Sequence, residues 1–456
     1  MKNINLLYSI IFILAATACS PELEDVPVVQ SGEADFSNYI AVGNSLTAGF
    51  RNNGLYPSAQ ETSYPNFIAQ QMQQAGGGEF LQPLMPAENG SGYLKLTSLT
   101  LTDLGTSFTL TPQAPAPDAF AKVSGDFNNL GIPGMRVIDM PVEEYALANP
   151  YLNRILASGE EASTSYLEHL ATKQPTFFTA WIGNNDALGY ATSGGIAGES
   201  GAPETYLNGF TPTNIFAQSY GAMMTTLTNG GAKGVIATIP DVLDVPYFNV
   251  FPAQLIPITS QTNVDQLNAA YADYNQGVEA INAATGANLN KIIFQLGANY
   301  PVVEDPSIPD PLPKFSQLQP GGKLLLSLSL DSVMTGGWGT QKPIPNQFSL
   351  TTNEIALIEQ YIDDYNDIIA QFADGNNVVL FNTNELFGKF LQGQLINGVT
   401  YTPAFINGGI FSLDGVHLTA AANAIVANEM IATINEAFGS TLPPVVVSEY
   451  ERIPLP

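Results

Sequence analysis

The amino-acid sequence predicts an α/β protein in which about five parallel strands form one sheet with helices on both faces. Short, continuous apolar runs alternate along the chain with longer segments of helical periodicity. Continuous apolar strands are typical of parallel sheets buried on both faces, because strands with one solvated face alternate apolar and polar residues instead. The 45% apolar content is normal for a packed globule and too high for a disordered chain.

The first half of the body begins with an apolar strand at 38–43, which ends at a glycine. A helical period follows near 64–72. Residues 94–111 then alternate apolar and polar side chains around 103–105, and this alternation predicts a hairpin with one solvated face. The remaining elements of this half are predicted as a buried strand at 176–183, a helix at 214–228 and a strand at 234–239.

The second half opens with a large insertion at 242–348, before the last strand. It is rich in Pro and Gly, and it contains a helix-like piece at 264–284 and an apolar run at 323–330. A structureless loop of this length is improbable in a compact domain, so we expect the insertion to fold. Its aromatic side chains form either a small core of its own or a lid or acyl-binding surface; they are Tyr247, Phe248, Phe251 and Trp338.

Two helices and a strand are predicted after the insertion. An amphipathic helix covers 351–372, where Thr351 and Glu354 have the spacing of a capping box, and a strand follows at 377–381. The last helix covers 419–438, between the N-cap Thr419 and Gly439. Three acids of the first helix are expected on its solvated face, with a calcium site as the alternative; they are Asp363, Asp364 and Asp367.

The first residues of the chain predict export. Residues 1–18 combine Lys2 with an apolar stretch too short to span a bilayer, which is typical of a signal peptide. Small residues lead into Cys19, the only cysteine, and this pattern resembles a bacterial lipoprotein signal in which that cysteine is lipidated. An ordinary secretory signal with an incidental cysteine is the alternative. We therefore expect a lipid anchor at the bacterial cell envelope, at the outer membrane, with surface exposure as a further expectation.

The rest of the chain is expected to form one folded domain. Residues 19–36 are acidic and contain proline, which predicts a flexible tether. The folded domain is placed at 37–440, with insertions near 76–125 and 242–348, and a Pro-rich tail at 441–456.

Composition excludes several partners and cofactors. The net charge of −27 argues against nucleic acid, because contacts with a phosphate backbone need clustered Lys and Arg. One cysteine leaves no cysteine-based metal site, and two histidines, His169 and His417, exclude a histidine-rich metal centre. We therefore expect neither a metal nor an organic cofactor. The sequence carries no signal for an oligomeric state.

Glycine-rich and polar segments stand where predicted strands end or where the last helix begins. In open α/β sheets, ligands bind at the carboxyl ends of the strands. Each segment alone also has an ordinary structural interpretation, as a helix cap, a turn, an N-cap cluster or a satisfied structural histidine. The four segments are GNSLTAG at 43–49, NLGIPG at 129–134, GNND at 183–186 and DGVH at 414–417.

Taken together, these segments resemble the four blocks of the SGNH hydrolases, also called GDSL-type esterases and lipases, in the same order. Ser45 matches the nucleophile, and Gly131 matches the glycine of the second block. Asn185 matches the asparagine of the third block, and Asp414 with His417 matches the D-x-x-H of the last.

The resemblance spans 39–438 and implies a three-layer, flavodoxin-like SGNH-hydrolase fold. It also implies a serine esterase or lipase whose substrate is an ester. One position departs from the family, since Asn44 stands where the first block has aspartate. This departure puts in doubt how the loop after Ser45 is held, although an asparagine oxygen can still bond to nearby backbone.

The chemistry of these residue types agrees with the resemblance. A serine hydroxyl is a poor nucleophile until a base accepts its proton, and histidine titrates near neutrality. A carboxylate on the other ring nitrogen fixes the tautomer, and one tight turn through Gly415 brings Asp414 to His417. By the resemblance, the oxyanion donors are the backbone N–H groups of Ser45 and Gly131 and the side-chain amide of Asn185.

The function predicted from these features is a serine ester hydrolase that acts through an acyl-enzyme on a lipid or acylated-carbohydrate ester. The alternative is a surface-anchored binding lipoprotein on the same fold, which Asn44 and the large insertion favour. An α/β-hydrolase is disfavoured because the chain has no G-x-S-x-G segment. His169 lies in a polar helical stretch and is expected to be a solvated surface residue, which leaves His417 as the base.

Overall fold

The structure is a computed structural model that describes residues 28–102, 105–196, 209–454 and 456. The predicted signal peptide, Cys19 and most of the predicted tether lie outside these residues, as does the turn of the hairpin at 103–104. In the described part of the chain, no helix is both long enough and apolar enough to cross a membrane.

Five parallel strands form the central sheet, and the predicted α/β class is confirmed. In chain order the strands are β1 (Tyr39–Gly43), β2 (Asn129–Gly131), β3 (Phe177–Trp181), β4 (Lys233–Ala237) and β5 (Val378–Phe381). Their spatial order is β5-β4-β3-β1-β2, which is the flavodoxin-like order, and every pairing is parallel.

The middle of the sheet is covered on both faces. Every residue of β1 and β3 is buried, and successive side chains of a strand point to opposite faces. Gly43 at the end of β1 lies opposite Gly131 of β2 and Trp181 of β3. The carboxyl ends of three neighbouring strands therefore meet at one edge, which brings together the segments that follow them.

Two groups of helices pack on this sheet. In one group, α2 (Tyr64–Gln74) packs against α6 (Ala420–Phe438). In the other, α5 (Thr352–Ala370) packs against α3 (Asn185–Thr192) and α4 (Thr213–Thr228). The short helices are α1 (Ser45–Ala48), which follows β1, and Pro57–Gln60, Tyr145–Ala148, Pro150–Asn153, Tyr166–Ala171 and Thr383–Gln392.

The predicted caps of α5 and α6 are confirmed. The Thr351 side chain accepts the backbone N–H of Glu354, and the Glu354 carboxylate accepts the backbone N–H of Thr351. Thr419 caps α6 through the N–H of Ala422 at 3.1 Å, and Gly439 ends that helix with a φ of 64°. Asp363 and Asp367 are exposed on α5, and Asp364 is half-buried, so these acids follow the solvated side of the helix.

The insertion contains a hydrophobic core of its own, separate from the core around the sheet, and Val278, Ile292 and Val302 are fully buried in it. Phe251 and Trp338 pack against this second core, whereas Phe248 is buried in the main core. The helices are Gln261–Ala270, Ala272–Thr285 and Leu330–Met334, and the antiparallel pairs are Ile256–Ile258 with Gly297–Asn299, Val302–Glu304 with Phe315–Gln317, and Lys323–Leu324 with Ser349–Leu350.

The predicted hairpin is also confirmed. Tyr93–Thr102 pairs antiparallel with Gly105–Gln113, with an irregularity between Leu96 and Ser98. A second, shorter hairpin pairs Gln394–Ile396 with Val399–Tyr401.

The expectation for His169 is wrong. It lies half-buried on the helix Tyr166–Ala171, and its Nε2 has no hydrogen-bond partner among the described residues. Burial, aided by the nearby charge of Lys173, lowers the pKa of His169 to about 4. A polar sequence surrounds it, but the face of the helix that carries it packs against the protein.

Candidate active site

Ser45 is the first residue of α1, directly after the tight turn that follows β1. A Cβ at Gly43 would lie 2.0 Å from Thr47 Oγ1 and 2.5 Å from the carbonyl oxygen of Trp181, so this position requires glycine. Asn44 is the N-cap of α1, and its side-chain oxygen accepts the N–H of Leu46 at 3.2 Å. The alternative that Ser45 is itself the helix cap is therefore wrong.

Ser45, His417 and Asp414 form one continuous chain of hydrogen bonds. His417 Nε2 lies 2.8 Å from Ser45 Oγ. On the other side of the ring, His417 Nδ1 lies 3.1 Å from Asp414 Oδ2. Fold topology brings these groups together across more than 360 residues of sequence, because β1 and the start of α6 meet at the same edge of the sheet.

The turn that carries Asp414 holds its carboxylate firmly. Oδ1 accepts the backbone N–H groups of Val416 at 2.9 Å and His417 at 2.8 Å, and Oδ2 accepts that of Asn53 at 2.7 Å. Gly415 makes this turn possible with a φ of +73°. Burial alone raises the pKa of Asp414, but His417 and these bonds outweigh burial and hold it well below its usual range.

The prediction that Gly131 supplies an oxyanion donor needs correction. Its backbone N–H is already donated to Asn129 Oδ1 at 3.0 Å, within β2. Gly131 has a packing role instead, because a Cβ there would lie 2.3 Å from the backbone nitrogen of Ala48.

Gly134, three residues later, has the exposed N–H of an oxyanion donor, unpaired within the described part of the chain, which Gly131 lacks. It is exposed, its φ is +82°, and its N–H has no acceptor among the described residues. Met135 follows directly, and its carbonyl oxygen accepts a hydrogen bond from Asn185 Nδ2 at 3.0 Å. One hydrogen of the Asn185 amide is used in this bond, and the second is available.

A buried carboxyl group, that of Asp186, links the segment that follows Gly134 to the helix that begins at Asn185. Asp186 is fully buried, and its two oxygens lie 3.1 and 2.9 Å from the backbone nitrogen of Val137. Thr211 Oγ1 donates to Asp186 Oδ1 at 2.5 Å. Burial raises the pKa of Asp186 to about 7.

Aromatic side chains extend from His417 towards solvent. The Phe50 ring centre lies 4.8 Å from that of His417, and Tyr151 lies 6.4 Å beyond Phe50. Phe120 then packs edge-on against Tyr151 at 5.3 Å, and 41% of Phe120 is exposed. These rings form an apolar surface beside the histidine.

The large insertion contacts the turn of His417 directly. The N–H of Tyr247 donates to the carbonyl oxygen of Gly415 at 2.9 Å, and the N–H of Leu326 donates to that of Tyr247 at 2.8 Å. A Cβ at Gly415 would lie 3.0 Å from Leu326 Cδ2. Two half-buried side chains of the insertion, Tyr247 and Leu326, therefore stand next to the Asp414–His417 turn.

Sequence patterns missed Gly134, Asn53, Asp186 and Phe50. The second glycine of N-L-G-I-P-G was a usable signal for Gly134, since a glycine after proline often marks a positive φ. The contacts of Asn53 and Phe50 had no signal, because neither residue type has a fixed pattern for such a contact. In the described part of the chain, no group of three or more His, Cys, Asp or Glu residues is placed to hold a metal ion.

Comparison with known proteins supports the same family. The family model described as GDSL-like Lipase/Acylhydrolase matches residues 39–430, which covers every segment of this site. No curated protein matches the chain significantly. Together with the five-stranded flavodoxin-like sheet, this match shows that the chain belongs to the GDSL-like lipase/acylhydrolase family, the SGNH hydrolases.

Proposed function

We propose that the protein is a serine ester hydrolase that forms an acyl-enzyme on Ser45. The observation that carries this proposal is the continuous chain from Ser45 Oγ through His417 to Asp414, at 2.8 and 3.1 Å. Such distances allow proton transfer without rearrangement.

In the first half of the reaction, His417 Nε2 accepts the proton of Ser45 as Oγ attacks the carbonyl carbon of the ester. Asp414 stabilises the imidazolium and keeps Nδ1 protonated. The oxyanion receives hydrogen bonds from the N–H groups of Ser45 and Gly134 and from the Asn185 amide. His417 then donates its proton to the leaving alcohol, and the acyl group remains on Ser45.

In the second half, water loses a proton to His417 Nε2 and attacks the acyl carbon. The same donors stabilise the second oxyanion, because it occupies the same place. Return of the proton to Ser45 Oγ releases the carboxylic acid.

The substrate is an ester with an apolar acyl group on a lipid or a carbohydrate. The row of rings beside His417 supports this choice, since the half-buried Phe50 and Tyr151 and the exposed Phe120 offer apolar area to an acyl chain. Burial of each methylene contributes about 0.8 kcal/mol to binding. A panel of p-nitrophenyl esters of rising chain length tests this, and kcat/KM is expected to rise from acetate to butyrate or longer.

Serine replacement tests the mechanism. Ser45→Ala is expected to lower kcat/KM for p-nitrophenyl butyrate by at least about 10³-fold, because no nucleophile remains. Ser163→Ala is the matched control, since Ser163 is exposed and its hydroxyl makes no hydrogen bond within the described residues. A fluorophosphonate probe is expected to label the wild type on Ser45. Unchanged hydrolysis by Ser45→Ala refutes Ser45 as the nucleophile, whereas a wild type that neither hydrolyses the ester nor reacts with the probe is a non-catalytic binding protein.

We also propose that Cys19 carries a lipid that anchors the protein to the cell envelope, at the outer membrane. The support is the N-terminal sequence, where a short apolar stretch ends in small residues before the single cysteine. The wild type is expected to incorporate labelled palmitate during expression in a bacterial host and to partition with membranes. Incorporation that persists in Cys19→Ser contradicts the proposal.

A further inference from the structure

A second pocket lies beside the segment that supports His417. Its volume is about 480 Å³. Four parts of the chain line it: residues 51, 52, 56 and 58, the hairpin strand at 93–96, residues 412–413 with 419–420, and residues 451–454. Phe50 contacts His417, whereas the next residue, Arg51, lines this pocket. Neither Ser45 nor His417 lines it, so it is distinct from the site described above.

Three cationic side chains line the pocket, namely Arg51, Lys95 and Arg452. None of them forms an ion pair with a carboxylate of the described residues, whereas seven other basic residues do. Glu451 is the single acidic side chain among the described residues that line it. In a chain of net charge −27, this pocket is thus a local concentration of unpaired positive charge.

Neutral groups hold the guanidinium of Arg51 in place. Nε donates to the Tyr56 hydroxyl at 3.0 Å, Nη1 to Thr62 Oγ1 at 3.2 Å and Nη2 to the Ser58 carbonyl oxygen at 3.4 Å. The guanidinium lies 5.5 Å from the centre of the Tyr56 ring, which Tyr93 contacts at 4.5 Å. Because every acceptor is uncharged, the side chain is oriented while its charge stays uncompensated.

We propose that this pocket binds an oxyanion, a carboxylate or a phosphate, carried by a ligand of about the size of one or two sugar rings. A fixed guanidinium with spare donors suits the planar geometry of oxyanions, and the exposed side chains of Lys95 and Arg452 add two positive charges. Acids elsewhere on the surface are screened beyond about 8 Å at physiological salt, whereas the lining cations act directly. The half-buried ring of Tyr93 offers an apolar wall to the body of the ligand.

Calorimetric titration of the purified protein tests the proposal with three probes: glucose 6-phosphate, glucuronate and glucose. At least one anionic probe is expected to bind, more weakly as NaCl is raised, and glucose is expected not to bind. The comparison between the two anions identifies which oxyanion the pocket takes. The double variant Lys95→Gln, Arg452→Gln is expected to weaken binding by about tenfold or more, since each removed charge contributes at short range.

Lys342→Gln is the matched control, because Lys342 is exposed, lacks an ion pair among the described residues and lies away from the pocket. It is expected to leave the affinity unchanged. Thermal unfolding of all variants checks the fold. Three results overturn the proposal: neither anion binds at millimolar concentration, glucose binds as tightly as the anions, or Lys342→Gln weakens binding as much as the double variant.

Discussion

Replacement of Asp414 by asparagine is the sharpest test of the proposed mechanism, because the two side chains have nearly the same volume but different hydrogen-bonding groups. The carboxylate accepts three backbone N–H groups and the Nδ1–H of His417. An amide has a single oxygen, so in either orientation its NH₂ group faces at least one backbone donor at 2.7–2.9 Å.

The favoured orientation keeps the amide oxygen on the two donors of the turn, Val416 and His417. Its NH₂ group then faces Nδ1, which must become an acceptor, and the ring proton moves to Nε2. Nε2 can no longer accept the proton of Ser45. We expect kcat/KM to fall by about 10³- to 10⁴-fold, which is about 4–5.5 kcal/mol of transition-state stabilisation.

The assay is steady-state hydrolysis of p-nitrophenyl butyrate, with thermal unfolding to confirm that the variant folds. Asp363→Asn serves as the control, since Asp363 is exposed on α5 and lies outside the site. Activity of folded Asp414→Asn within threefold of the wild type refutes the assignment of Asp414 as the partner of the base.

The remaining predictions concern the oxyanion donors and the buried acid behind them. Gly134→Ala is expected to lower kcat about 10- to 100-fold with a modest loss of stability, because a side chain at a φ of +82° displaces the free N–H. Gly131→Ala is expected to lower mainly the melting temperature, because its Cβ would clash with the backbone of Ala48. Similar effects of both variants on kcat contradict the assignment of the oxyanion donor to Gly134. Asn185→Ala is expected to lower kcat by about 10²-fold or more with little change in KM, as measured with the same ester; a change in KM alone argues against an oxyanion role. Burial raises the pKa of Asp186 to about 7. Between about pH 4 and 7, the folded protein therefore holds a proton that the unfolded chain has already lost. Asp186 therefore makes the free energy of unfolding fall as pH rises through this range, by at most about 1.4 kcal/mol per pH unit; urea unfolding of Asp186→Asn is expected to lose this slope, and an identical slope in both proteins refutes it.

In the segment at 129–134, a motif match does not identify which glycine has a free N–H. N-L-G-I-P-G contains two glycines, and sequence position alone does not distinguish a packing glycine from one that offers a free N–H. That distinction depends on the orientation of the Asn129 side chain. Its Oδ1 accepts the N–H of Gly131, and its Nδ2 donates to the carbonyl oxygen of Thr47 at 2.9 Å. Gly134, beyond the strand, is left exposed.

The insertion shows the same limit on a larger scale. Its length and its Pro and Gly content predicted a folded segment, and its aromatic residues left a choice between a core and a surface beside the site. The structure divides them, because Phe251 and Trp338 pack against the second core, whereas Phe248 lies in the main core and Tyr247 packs against it. The backbone N–H of Tyr247 also donates to the carbonyl oxygen of Gly415, which places this residue beside the site. Such a division is set by long-range packing, on which local composition carries no information.

The sequence by itself determined the class of the fold and most of its elements, and its resemblance to the SGNH hydrolases predicted Ser45, Asn185, Asp414 and His417 as one set. It did so because strand burial, helix periodicity and caps are local properties, and because the motifs have a fixed order along the chain. Tertiary structure alone decided which N–H groups are free, which side chains border His417, and that His169 is half-buried. It also gathered Arg51, Lys95 and Arg452 around one pocket. These features depend on contacts between segments that are far apart in the chain, and a local sequence pattern does not show which distant segments will be in contact.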